Sequence, residues 1–350
     1  MSAVGQIVAG KVSSILIREK SGEKIELGDL LIVDEPDGYL ILKVFDLLYG
    51  SQVPQAAREL LAGMELEGHG GTVDFLEPEL RSYVLAEVKA IAKVTSKKEL
   101  HIPKSLPGFF KSVRRVSEKD LDFLTKPPQP VYLGKIRSGS KVLNVDVFLN
   151  GSDIFTHHVL IPATTGRGKS NLVKVMLWSI VGDNNFGVLV LDPHDEYYGR
   201  QANAKGLKDH PNAKGNVYYF SSNPIPGTST LVFNLRSIKP SHFEGIVDFT
   251  DAQWDAIKIY YNKYREDWIE NIVSGAEIDS VAPRTLDVLQ RKFNNILGVY
   301  MDSSGTLQCR SRVFSDTAGE ATMGEIIRLL EEGKIVILDT SRLLDQAELH

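Results

Sequence analysis

The chain has 350 residues, 43% apolar and 24% charged, with a formal net charge of −5, the composition of a globular protein with room for two domains. No apolar run is long enough to span a bilayer, and Met1-Ser2-Ala3-Val4-Gly5 is no basic segment leading into an apolar one, so a cytoplasmic protein without a membrane partner is expected. The single cysteine, Cys309, excludes an internal disulfide, argues against a cysteine-based zinc site and is expected to be buried, while the negative balance means that any grip on DNA needs locally concentrated basic groups.

From Gly5 to about Val94 the chain reads as β structure. Gln6–Val12 and Ser14–Arg18 precede a Ser21-Gly22 turn, and Leu30–Val33 and Tyr39–Val44 flank the turn-rich Asp34-Glu35-Pro36-Asp37-Gly38, which predicts a hairpin. Many short strands with little helix predict a small barrel. One helix interrupts it over Pro54–Met64, with Ala56, Ala57, Leu60 and Leu61 on one face, and the barrel resumes at Ser82–Ile91. Residues 95–130 read as a connection. Its Lys97, Lys98, Lys104, Lys111, Arg114, Arg115 and Lys119 form the densest basic cluster in the chain; such a cluster can meet phosphates, although a solvated face is the commoner outcome. Lys126-Pro127-Pro128-Gln129-Pro130 follows as a stiff linker.

Val131–Gly134 and the period-two run Val142–Leu149 predict two strands in the domain that follows or at its rim. The aliphatic run Val159–Ile161 predicts a buried strand, and Leu172, Val173, Val175, Met176, Leu177 and Ile180 recur at helical spacing. Between them lies Ala163-Thr164-Thr165-Gly166-Arg167-Gly168-Lys169-Ser170, a phosphate-binding loop pattern with Ala163 where the full pattern has Gly. Gly166 and Gly168 let backbone N–H groups turn toward phosphate oxygens, and the helix end adds partial positive charge. Lys169 would reach the β- and γ-phosphates and the Ser170 hydroxyl would ligate Mg²⁺. A second buried strand, Phe186–Asp192, completes a βαβ unit with a right-handed crossover. Trp254, Ile257, Tyr261, Tyr264 and Trp268 mark a helix from Asp251 to about Asn271 whose aromatic stripe belongs to a core; helices over Thr285–Leu297 and Met323–Glu332, the latter capped by Gly333, precede the strand Ile335–Asp339.

Hydrolysis of a nucleoside triphosphate needs an acid near the metal, a carboxylate to orient water and a compensating cation. Two strands end in acids, Asp192 and Asp339, neither followed directly by Glu. Asp192-Pro193-His194-Asp195-Glu196-Tyr197-Tyr198, taken with the loop before it, resembles the HerA family of the HerA/FtsK group of hexameric DNA-pumping ATPases, whose corresponding strand ends in Asp-Pro/Tyr-His-Gly-Glu-Tyr. Here Asp195 stands for the usual Gly. The resemblance implies an α/β fold, a RecA-like P-loop NTPase parallel sheet with an N-terminal small β-barrel of the HAS type, divided as residues 1–95 (barrel), 96–130 (basic connection and linker) and 131–350 (ATPase domain). It implies ATP and Mg²⁺ as cofactors, with Thr165, Gly166, Arg167, Gly168, Lys169, Ser170, Asn171 and His157 at the nucleotide, Ser170 on the metal, and Lys169, Asp192 and Glu196 in catalysis, with His194 beside them.

Two departures qualify that expectation. The family often has Arg-His where this chain has His157-His158, which removes a permanent charge. The strand carrying the family's Mg²⁺ acid and catalytic Glu, and the arginine finger after it, are expected beyond His350, so the chain is expected to be a truncated piece, ending within a helix and of little activity alone. The reading is an ATP-dependent DNA translocase or helicase subunit, hexameric when complete, acting on DNA with a NurA-type nuclease in end resection and recombinational repair. The alternatives are a VirB4-like secretion or conjugation ATPase and a nucleotide-binding assembly module without hydrolysis of its own.

Overall fold

The computed structural model describes residues 2–68, 82–200 and 205–341. The chain divides into two compact units, Met1–Val159 and Leu160–His350. In the first, β1 (Gly5–Lys11), β2 (Ser14–Glu19), β3 (Leu30–Glu35), β4 (Gly38–Ser51), β5 (Ser82–Thr95), the short β6 (Leu100–His101) and β7 (Ser112–Arg115) form one antiparallel sheet. Its order runs β2-β1-β7-β3-β4-β5, and β5 returns to β2, so six strands close a barrel and β6 is appended to β5. Alternation explains the filling: Ile15 and Ile17, Leu40, Leu42 and Val44, and Ala86 and Val88 all face a common buried core. The expected β3–β4 hairpin is present, pairing Glu35 with Gly38 around Pro36-Asp37. Gly38 has φ 145°, and a Cβ there would stand 1.9 Å from the Val94 carbonyl oxygen, so no other residue fits that corner.

Two features of this unit differ from expectation. The interrupting helix, α1 (Gln55–Leu66), contains no buried residue, so its apolar face stays uncovered among the described residues. The basic connection, in turn, supplies β7, which pairs with both β1 and β3. The reason lies in its charges. Arg114 makes a two-pronged pair with Asp120 at 2.8 Å on each prong and a second with Asp34 at 2.9 and 3.1 Å, and Arg115 meets the buried Asp29 at 2.8 Å. The two arginines of the cluster are therefore neutralised by the barrel's own carboxylates. The hairpin of β8 (Pro130–Ser138) and β9 (Lys141–Asn150) belongs to this unit too: Leu143 is buried with Ile32, Ile41, Val94 and Leu121 on the outside of the barrel. A short helix, α2 (Gly151–Phe155), ends it.

The second unit holds a parallel sheet in the order β10 (Val188–Asp192), β17 (Ile335–Asp339), β11 (Val217–Ser221) and β12 (Ser229–Thr230). The loop helix is α3 (Lys169–Ser179). The expected strand before it is not formed: Val159–Ile161 has no strand conformation, and Val159 and Leu160 are 54% and 87% exposed. A strand exists only when a neighbour takes up its backbone N–H and C=O groups, and among the described residues none pairs with the outer edge of β10. The βαβ unit is thus represented by its helix and second strand.

A helical layer follows. α4 (Asp251–Tyr264) ends sooner than its periodicity suggests, because Arg265 takes φ 52° and a 3-10 turn redirects the chain into α5 (Trp268–Val273). The turn drives Trp268 fully into the core, where its indole N–H donates to the Ile238 carbonyl at 2.9 Å. α6 (Pro283–Leu297) packs Leu289 and Phe293 against it, and the aromatic stripe is core as expected. β13 (Phe233–Asn234) pairs with β16 (Phe314–Ser315), and β14 (Val299–Met301) with β15 (Leu307–Cys309), where Cys309 is half-buried and its thiol is pushed up by burial. α7 (Thr322–Glu331) ends at Gly333, where a Cβ would strike the Asn184 carbonyl oxygen at 2.3 Å. The helix expected at His350 lies outside the described residues.

The Arg114–Asp120 pair makes the barrel pH-sensitive. Burial by itself raises the Asp120 carboxyl, but hydrogen bonds from Arg114 and Ser117 outweigh it and hold it below the usual carboxylate range. Since the folded value is the lower one, the stabilisation is complete above the unfolded value and is lost as pH falls through the folded value, below about pH 4. Asp120→Asn should cost about 2 kcal/mol at neutral pH and flatten the acid limb; urea titrations at neutral pH and in acid check both.

Candidate nucleotide-binding site

The loop of residues 162–169 is exposed throughout. Gly166 and Gly168 take φ 79° and 87°, and nothing lies within 4 Å of a Cβ built on either, so backbone conformation alone demands glycine there. Gly168 is the N-cap of α3, its carbonyl accepting the first helical bond from Leu172 N–H at 2.9 Å. No side chain caps this end and no acid lies in its first turn. The orphan N–H groups of residues 169–171 and the positive end of the dipole are therefore uncompensated, which is the electrostatic requirement of a phosphate site. Lys169 opens the helix and is exposed, as are Thr165, Arg167 and Asn171, whereas Ser170 is half-buried.

Asp192, fully buried at the end of β10, does not point to an open site. Its carboxylate accepts backbone N–H groups of Glu196 at 3.1 Å, Tyr197 at 3.0 Å and His194 at 3.4 Å, which folds residues 193–197 back over the strand end. This turn sets the Tyr197 hydroxyl beside the Ser170 side chain and leaves Glu196 and His194 exposed. Tyr197 is thereby the described contact between the acidic turn and the phosphate loop. His157 lies just after α2; its Nδ1 is 2.7 Å from the Asp153 carbonyl and 3.0 Å from the Thr156 hydroxyl.

Asp339, which pairs in register with Asp192, is equally engaged. It accepts from Ser221 Oγ at 2.6 Å, Tyr219 OH at 3.0 Å, and the N–H and hydroxyl of Ser341. Burial favours its neutral form, but these bonds prevail and hold its pKa low. Asp195 joins the cluster from above. It takes φ 53°, a conformation Asp tolerates better than most side chains, and reaches Tyr219 OH at 2.8 Å. Burial, and next to it the charge of Asp339, push its carboxyl up against the opposing Tyr219 bond. Arg200 stands 3.6 Å from Asp339 and 3.9 Å from Asp195. Tyr219 and Ser221, both on β11, and Arg200 escape a sequence reading because they come from segments distant from Asp339; only the Asp at position 195 hints at the cluster.

Among the described residues no three His, Cys, Asp or Glu side chains gather as a metal site. The donor set nonetheless fits Mg²⁺ bound with phosphates, since that ion keeps most of its shell from water and phosphate and needs one or two protein oxygens, such as Ser170.

The profile of the family described as Helicase HerA, central domain, matches residues 131–349. Among curated proteins, the uncharacterized protein aq_aa31 of Aquifex aeolicus is 34% identical over 94 residues, 25% of this chain and 33% of that protein. The DNA double-strand break repair helicase HerA of Pyrococcus furiosus is 38% identical over 64 residues, 18% of this chain and 12% of that protein. The chain thus spans a third or less of the relatives it matches.

Tyr219 is the hydroxyl shared by Asp195 and Asp339. Tyr219→Phe should destabilise the unit by about 1–2 kcal/mol, and adding Asp195→Asn should recover part of that loss by removing a neighbouring charge. Chemical denaturation of the two single variants and the double variant gives the coupling.

Proposed function

The chain belongs to the HerA helicase central-domain family, and on that premise we propose that it is an ATP-dependent DNA translocase or helicase subunit that binds ATP and Mg²⁺ at residues 163–170. One observation carries the reading: a helix N-terminus without cap or acid, preceded by two glycines at positive φ and opening with Lys169 and Ser170. The backbone N–H groups of Gly166, Arg167 and Gly168 would hold phosphate oxygens, with Thr165 and Asn171 flanking them, and Lys169 would offset charge on the terminal phosphates. Ser170 would supply one oxygen to Mg²⁺, and Tyr197 would orient that hydroxyl. Bound Mg²⁺ supplies electrophilic compensation of phosphate charge. Glu196, exposed on the turn that Asp192 fixes, would be the carboxylate that orients water.

In this reading residues 131–350 are the ATPase domain, its first segment to Val159 folding with the barrel unit, 96–130 the connection that also lends β7 to the barrel, and 1–95 a HAS-type barrel. The subunits form a hexameric ring on DNA, with a NurA-type nuclease as partner in DNA end resection and recombinational repair. The repair helicase among the similar proteins supports that assignment, and no helix among the described residues is long and apolar enough to cross a membrane.

Lys169→Ala should weaken binding of a fluorescent ATP analogue by about a hundredfold or more; unchanged equilibrium binding contradicts the site. For a DNA motor, duplex DNA should raise the rate of phosphate release, and the stimulation should fall steeply as salt rises because phosphate contacts release counterions. A rate indifferent to DNA at low salt contradicts the motor reading while leaving the nucleotide site intact.

A further inference from the structure

The acidic turn is held from two sides. On one side Asp192 collects the backbone N–H groups of His194, Glu196 and Tyr197. On the other stands Tyr219 of β11, a strand separated from β10 by β17, with its side chain buried. The Tyr219 hydroxyl donates to Asp195 at 2.8 Å, and its ring lies nearly flat on that of Tyr198, with 4.4 Å between centroids and 21° between planes. Tyr219 thus grips the residues immediately before and after the pair Glu196 and Tyr197.

The hold on Asp195 is specific. Residue 195 takes φ 53°, a region in which glycine carries the least cost. Among the described residues the aspartate there has no hydrogen-bond donor besides Tyr219, and Arg200 stands 3.9 Å away. Asp339, in contrast, takes the same hydroxyl at 3.0 Å in addition to Ser221 and Ser341. A side chain kept in an uncommon backbone region points to the contact it makes there. The chain beyond is pinned as well: the Tyr197 carbonyl accepts Leu207 N–H at 2.9 Å and the Tyr198 carbonyl accepts Lys208 N–H at 3.2 Å. Between these fixed points, Tyr197 sets its hydroxyl beside the Ser170 side chain.

We propose that Tyr219 is a positioning residue for the phosphate loop: through Asp195 and Tyr198 it holds the turn from the β11 side and so keeps the Tyr197 hydroxyl at Ser170. This deepens the ATP reading and rests on it. A hydroxyl held in place before the metal arrives loses less freedom when it ligates, so the benefit falls on binding of the metal–nucleotide complex.

Two measurements on the whole chain separate the hold from the reading beneath it. Without nucleotide, the Glu196 and Tyr197 N–H groups should exchange with deuterium roughly tenfold faster in Tyr219→Phe and in Asp195→Gly, with smaller changes in α3. With a fluorescent ATP analogue, either variant should lose about fivefold more affinity in the presence of Mg²⁺ than in its absence, the worth of one hydrogen bond; a merely destabilised unit loses both alike. Tyr197→Phe should show the same selective loss, and combining it with Asp195→Gly should add nothing, because both act on one hydroxyl. Asp195→Gly, whose glycine accepts φ 53°, decides the matter should Tyr219→Phe fail to fold. Unchanged exchange at Glu196 and Tyr197, or equal losses with and without Mg²⁺, overturns the proposal. A wild-type chain that binds no analogue contradicts the ATP reading instead, and the exchange rates then still establish or refute the hold on the turn.

Discussion

The acidic turn depends on one carboxylate that accepts backbone N–H groups. Asp192 is buried at the end of β10 and spends both oxygens on backbone N–H groups two, four and five residues ahead. A charged acceptor of backbone bonds is among the stronger hydrogen-bonding arrangements in a protein, and here it converts a strand end into a tight turn. The turn brings Tyr197 to Ser170 and presents Glu196 to solvent. The geometry of the acidic motif therefore originates in a bond inside the sheet, and the exposed residues inherit their positions from it.

The same economy of charge runs through both units. Arg114 and Arg115, which in isolation read as part of a solvated face that can meet phosphates, lock β7 into the barrel by pairing with Asp34, Asp120 and Asp29. In the second unit, Asp339 and Asp195 tolerate proximity because Tyr219 bridges them and Arg200 stands beside both. Apart from the exposed Asp34, these are buried or half-buried carboxylates that meet hydroxyl and guanidinium donors, so removing one partner exposes the other to an uncompensated environment.

These pairings also explain which parts of the architecture were legible from residues alone. The β3–β4 hairpin, the glycines of the phosphate loop and the Gly333 cap are local: their signals lie within a few residues and reflect backbone conformations that only glycine or a turn residue adopts. The aromatic stripe of α4 and α5 was legible as core because its period survives the break at Arg265, although the break itself has no compositional signal. β7 was not legible, since it has one apolar residue and gains its place from carboxylates up to 86 positions away in sequence. The cluster of Asp195, Arg200, Tyr219 and Asp339 was hidden for the same reason: its members are ordinary until the sheet sets their strands side by side.

The run Val159–Ile161 shows the limit of a periodicity argument from the other side. It is as apolar as β10 or β17, yet it is not a strand, because a strand is defined by its neighbour as much as by its residues. β10 is outermost among the described strands, and its Leu189 and Leu191 are 46% and 62% exposed, although their register partners Val336 and Leu338 pack with α7 on the same face. The phosphate loop is accordingly anchored firmly on its helix side, through Gly168 and α3, and not by a paired strand on the other. A loop held at one end must lose more conformational freedom when a phosphate is bound than one held at both. The same glycines that allow the cradle to form thus make its affinity depend on whether the preceding run is given a strand to pair with.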